Sequence, residues 1–141
     1  MQSFKIKLPG YAQKTGKRLF LQPGFFEYGI QPLFSSNSRK YDLYFPYPWS
    51  EYDLIDIELP RGYQLESAET PGPINDPNKI GSIDIRMRLD ETKNVLHYSR
   101  RFYFGGGDQI RFPASSYPAL KELFDAFNKA DNHTLVLKQD L

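Results

Sequence analysis

"IDIRMRLDETKNVLHYSRRFYF", residues 83–104, is the stretch on which the fold turns. Ile83, Ile85, Met87 and Leu89 point one way; Asp84, Arg86, Arg88 and Asp90 point the other. Strict alternation is the pattern of a β-strand with one packed and one wet face. It suits antiparallel sheets, which commonly bury one face and solvate the other. "LDETKNV" (89–95) places a second run at hairpin distance, in which Leu96, Tyr98, Phe102 and Phe104 share a face. Arg100 falls on that same apolar face. Two explanations stand open: Arg100 is partnered inside, or a bulge shifts the register at the double arginine.

The same alternation recurs on either side. "LIDIEL" aligns Ile55, Ile57 and Leu59; "KYDLYF" aligns Tyr41, Leu43 and Phe45; "FKIKL" aligns Phe4, Ile6 and Leu8 with lysines opposite. "LPRG" (59–62) reads as a tight turn, and the proline- and glycine-rich "TPGPINDPNKIG" (70–81) as a loop. One helix is legible, in "SSYPALKELFDAFNKADN". Ser115 and Ser116 are placed to cap it and Pro118 suits its first turn. Leu120, Leu123, Phe124 and Phe127 form one apolar stripe. The expectation is a helix near 117–130 and a last strand near 133–138. Together these elements describe a mainly β chain: an antiparallel β-sandwich, immunoglobulin-like or jelly-roll-like, with one short C-terminal helix against one end or over a sheet edge. The 141 residues are expected to form a single domain, 1–141.

Composition narrows the function. Cysteine is absent, which excludes disulfides, thiolate metal sites and a cysteine nucleophile. Eighteen Lys and Arg balance 17 Asp and Glu, mixed along the chain, so there is no basic stripe for nucleic acid. No apolar run reaches the length of a transmembrane helix. The opening "MQSFKIKLPGYAQ" has no signal-peptide core, so an exported parent would be represented here by a mature or trimmed piece.

Several motifs invite chemistry and fail its requirements. Gly105, Gly106 and Gly107 are followed by extended chain rather than a helix start, so they lack phosphate-loop context and read as a flexible connection to the helix. "GYAQKTGKR" (10–18) spaces its glycines by five residues where a phosphate loop needs four, and Arg18 stands where Ser or Thr would hold magnesium; it reads as a turn. His97 and His133 lie far apart, outside any metal-ligand spacing. Most carboxylates alternate with apolar residues as solvated strand faces. No catalytic, cofactor or metal residue is expected.

The aromatic stretch "YDLYFPYPWSEY" (41–52) is the one candidate surface. Alternation sends Tyr41 and Phe45 to the core and leaves Tyr44, Tyr47, Trp49 and Tyr52 to cover an edge or form a stacking platform for a glycan or peptide.

"SRKYDLYFPYPWSEYDLIDIELPRGYQLES", then "LHYSRRFYF", then "FPASSYPALKELFDAFNKADNHTLVLK" resembles the C-terminal β-domain of bacterial transglutaminase-like proteins. The similar features are the Arg39–Phe45 strand, the Leu59–Tyr63 turn, the double strand ending near Arg101 and, above all, Tyr117–Leu137. In that family two β-domains flank a transglutaminase-like core whose nucleophile is a cysteine, which this chain lacks. The resemblance implies a non-catalytic accessory domain of a larger, periplasmic or secreted protein. Its implied partner is the neighbouring transglutaminase-like domain. The alternative is a stand-alone or tethered binding module for cell-envelope glycan or peptide, using Tyr44, Tyr47, Trp49 and Tyr52.

Overall fold

The alternating residues 81–104 form the hairpin around which everything else is arranged. The computed structural model describes residues 2–27, 29–67 and 69–140. In chain order the elements are β1 (Gln13–Thr15), β2 (Arg18–Leu21), β3 (Leu43–Tyr44), β4 (Trp49–Glu58), β5 (Tyr63–Ser67), β6 (Ile74–Asn75), β7 (Gly81–Asp90), β8 (Val95–Phe104), β9 (Arg111–Phe112), α1 (Tyr117–Asp131) and β10 (Leu135–Gln139). β7 and β8 pair without a slip, Ile83 with Phe102, Ile85 with Arg100, Met87 with Tyr98 and Leu89 with Leu96. β4 pairs along the other side of β8, setting Asp53 opposite Arg100 and Ile55 opposite Tyr98. No bulge relocates Arg100; it points inward and is 3% exposed.

The sheet orders are β4-β8-β7-β6, β1-β2-β10-β5 and the small pair β3-β9, all antiparallel. The mainly β, antiparallel architecture with one helix near the C-terminus is as expected. Half of the inner face of β4-β8-β7 packs on the second sheet: Ile57, Leu89 and Leu96 meet Leu19, Leu65, Leu135 and Leu137. The other half packs on α1, with Ile83, Phe102 and Phe104 against Leu120, Phe124 and Phe127. Phe102 meets Phe127 edge-on, centroids 5.2 Å apart, and Phe104 meets Phe124 at 4.8 Å. The helix therefore lies on the sheet face rather than at an end or edge. Length explains why. Ten-residue strands run about 33 Å. The second sheet's strands have three to five residues, so they leave part of that face bare.

Four local expectations need correction. "FKIKL" forms no strand, and Phe4, Ile6 and Leu8 are 67%, 53% and 44% exposed, because no neighbouring edge takes them. Tyr41 lies outside β3 and is 81% exposed; the strand begins two residues later, so the alternation did not extend back to it. The loop 70–81 contains the short strand β6, which extends the main sheet beside β7. Neither Ser115 nor Ser116 caps the helix by its side chain; a short 3-10 turn over Ala114–Ser116 leads into it, and Pro118 occupies the first turn.

The triple glycine is a site of close approach rather than a flexible link. The N–H groups of Gly105 and Gly106 both donate to the Ile80 carbonyl, at 2.8 and 3.0 Å. A Cβ on Gly106 would stand 2.0 Å from the Lys79 oxygen, so only glycine brings the backbones this close. "GYAQKTGKR" supplies the β1–β2 hairpin, as its turn signals indicated.

Candidate functional site

Arg100 lies close to the boundary between the two halves of the core. Its guanidinium grips Asp131 from both sides: Nε donates to Oδ1 at 2.6 Å and Nη2 to Oδ2 at 2.9 Å. Nη1 donates to Glu51 Oε2 at 3.3 Å and lies 3.6 Å from carboxylate oxygens of Glu27 and Asp53. One buried cation thus faces four carboxylates drawn from the β2–β3 connection, β4 and the last residue of α1. A carboxylate at a helix C-terminus opposes the helix dipole, so Asp131 depends on this cation. Gly24 lets the β2–β3 connection close on the cluster: a Cβ there would meet the Asp131 carbonyl oxygen at 2.6 Å.

Glu27 Oε2 and Asp53 Oδ2 are buried acceptors that no side-chain donor reaches, and a proton on Glu27 shared with Asp53 satisfies both. Burial first, then the hydrogen bond to Asp53, pushes the Glu27 carboxyl up to about 8. Burial also raises Asp131 and Tyr98, and lowers His133, whose ring stacks near Tyr98. Burial alone would lower Arg100; the hydrogen bonds and charge of Asp131 outweigh it and hold the guanidinium above its ordinary value. The cluster binds elements together, and its members are spent on one another. Among the described residues, no group of three or more His, Cys, Asp and Glu has an arrangement that could hold a metal ion.

Arg100 on an apolar face left an inside partner or a bulge as the two explanations; the structure supplies the partners, Asp131 and Glu27 among them. Asp131 carried one usable signal, an acid continuing the buried stripe at the end of the helix. Glu27 carried none beyond its place beside Phe25 and Phe26.

The four aromatic candidates divide. Tyr47 and Trp49 line one open groove with Leu33, Phe45 and Pro46. Trp49 is half-buried there: its ring packs on Phe102 and Phe104, 5.7 and 5.3 Å away, and its Nε1 donates to Glu51. Tyr44 and Tyr52 are exposed but each lies under its cross-strand arginine, Arg111 at 5.6 Å and Arg101 at 5.0 Å. The flat platform of four rings is therefore not assembled as such. Trp49→Ala is expected to cost about 2 kcal/mol, as a half-buried core ring, while Tyr47→Ala stays within about 0.5 kcal/mol. Urea unfolding of the two variants checks this difference.

No curated protein matches the chain. Residues 17–137 match the family described as "Domain of Unknown Function with solved-structure structure (DUF3858)". In fold, 74% of the chain is similar to part of a crystal structure of a "putative protease" from Parabacteroides distasonis ATCC 8503, with a TM-score of 0.60 at 15% identity. The chain spans only 19% of that protein's length. Identity this low carries the fold alone.

Proposed function

The chain belongs to the DUF3858 family of domains of unknown function, and from that premise we propose that it is a non-catalytic accessory β-domain of a larger bacterial protein, packing on a neighbouring domain and positioning it. The observation that carries this is the apolar surface of residues 26–47. Phe26, Ile30, Leu33, Tyr41, Tyr44 and Tyr47 are each more than half exposed, and Leu33 and Tyr47 open the groove described above. Exposed apolar surface of this kind marks contact with another surface. The neighbour is a transglutaminase-like domain of the same polypeptide, in the periplasm or outside the cell, as the resemblance of residues 39–139 implies. The non-catalytic reading is supported by the ionisable cluster, whose members gather around Arg100 and do not line the groove of Tyr47 and Trp49. Among the described residues no helix is long and apolar enough to cross a membrane.

The native polypeptide tests this directly. A blot of source cells with an antibody to the domain should give a band far above 16.4 kDa. In that longer protein, backbone amides of 26–47 should exchange more slowly than in the isolated domain. A band at the mass of this chain alone, or equal exchange in both contexts, overturns the packing role.

A second function draws on the same groove, where Tyr47 and Trp49 stand beside Pro46 as a contact for cell-envelope glycan or peptide. Binding there would shift Trp49 fluorescence, and Tyr47→Ala would abolish the shift without changing stability. Silence across a broad glycan and peptide panel removes this function.

A further inference from the structure

β4 is the outermost strand of its sheet and is ten residues long. Its backbone pairs with β8 on one side only, and among the described residues no other backbone group bonds to it. A long open edge is a template for a further strand. β4 reads "WSEYDLIDIE", with four carboxylates and no base. A second β4 laid against it would set like charges side by side, which disfavours simple edge-to-edge pairing of two copies.

The complementary strand is present in the same sequence. "SFKIKL", residues 3–8, carries two lysines and no acid. It alternates as a strand does, yet Phe4, Ile6 and Leu8 are exposed and the segment joins no strand among the described residues. We propose that residues 3–8 of one copy add as a fifth strand to the β4 edge of a second copy, and that reciprocal exchange closes a two-fold dimer.

The two faces match in a single antiparallel register. Ile6 lies opposite Ile57 and Leu8 opposite Ile55, extending the half-buried inner face. Lys5 then lies opposite Glu58 and Lys7 opposite Asp56, on the wet face. Asp56 is available for this: its side chain is 71% exposed although His97 touches it. A one-residue slip would turn the lysines inward, so the register is specified.

The geometry favours a second copy over folding back within one chain. β4 leads to β5 through residues 59–62, and β5 and β1 stand at opposite edges of the second sheet. Three strand spacings, about 14 Å, separate those edges. The link from Leu8 to β1 is residues 9–12, and it is held in a turn by the Tyr11 N–H donating to the Leu8 carbonyl.

The intact chain tests this by light scattering coupled to size exclusion. Expected is a concentration-dependent species of twice the 16.4 kDa chain mass. Lys5→Glu with Lys7→Glu should weaken it at least about tenfold, since two opposite-charge pairs become like-charge pairs. Adding Asp56→Lys and Glu58→Lys to that variant should restore it. Circular dichroism of each variant confirms that the fold is kept, because all four positions are exposed and outside the core. A monomer up to millimolar concentration overturns the proposal. So does a dimer indifferent to the lysine reversal, or a monomer whose residues 4–8 are protected from exchange in a lysine-dependent way.

Discussion

Arg100→Leu is expected to cost about 3–5 kcal/mol near neutral pH, read as a lowered urea midpoint. That is a large part of the 5–15 kcal/mol typical of a whole domain. The leucine fills some of the volume but leaves the Asp131 carboxylate buried at 7% exposure without its cation. The loss arises from stranded charge and not from the value of the pair itself. Two comparisons separate these. The double variant Arg100→Leu with Asp131→Leu should recover a good part of the loss, because the bidentate pair is then removed whole. The single variant should also lose less at acid pH, where the carboxylates can take up protons. A cost below about 1 kcal/mol would mean the cluster is as well screened as a surface pair.

Stability is expected to fall as pH rises from about 6.5 to 8, by about 2 kcal/mol. In the folded chain Glu27 keeps its proton up to about 8, whereas its ordinary value is 4.5. Between those values the folded state binds more protons than the unfolded one, so raising the pH favours unfolding. His133 works the other way. Burial holds it below its ordinary 6.5, so the unfolded chain binds more protons there and stability rises with pH up to about that value. The two trends offset one another below 6.5, which leaves the Glu27 slope exposed above it. Glu27→Gln keeps the hydrogen bond to Asp53 without the titration and should flatten the slope. Urea midpoints from pH 5 to 9 for both proteins measure it; a slope that survives in the glutamine variant assigns it to another group.

Local pattern made the central elements legible. β7, β8 and β4 declare themselves because each side chain's face is set by its own parity, and α1 because Leu120, Phe124 and Phe127 recur at helical spacing. Where pattern failed, the decision lay in contacts between distant segments. "FKIKL" alternates as well as "IDIRM" does, but a strand needs a partner, and among the described residues this segment joins no sheet. Tyr41 continues the parity of Leu43 and Phe45, yet the backbone leaves the ladder before reaching it. Trp49 shares a stretch with Tyr44, Tyr47 and Tyr52, but its parity on β4 turns it inward onto Phe102 and Phe104.

The candidate site divides along the same line. From the sequence alone came the antiparallel β class, the C-terminal helix, the absence of cysteine chemistry and the anomaly of Arg100 on an apolar face. These follow from period, composition and backbone preference, which act over a few residues. Only the tertiary structure decided that Arg100 answers to Asp131, Glu27, Glu51 and Asp53, because those partners lie 31 to 73 residues away and meet only when helix, sheet and connecting loop are packed. The proton on Glu27 belongs to the same level: it is set by burial and by neighbouring charges, which exist only once the chain has folded.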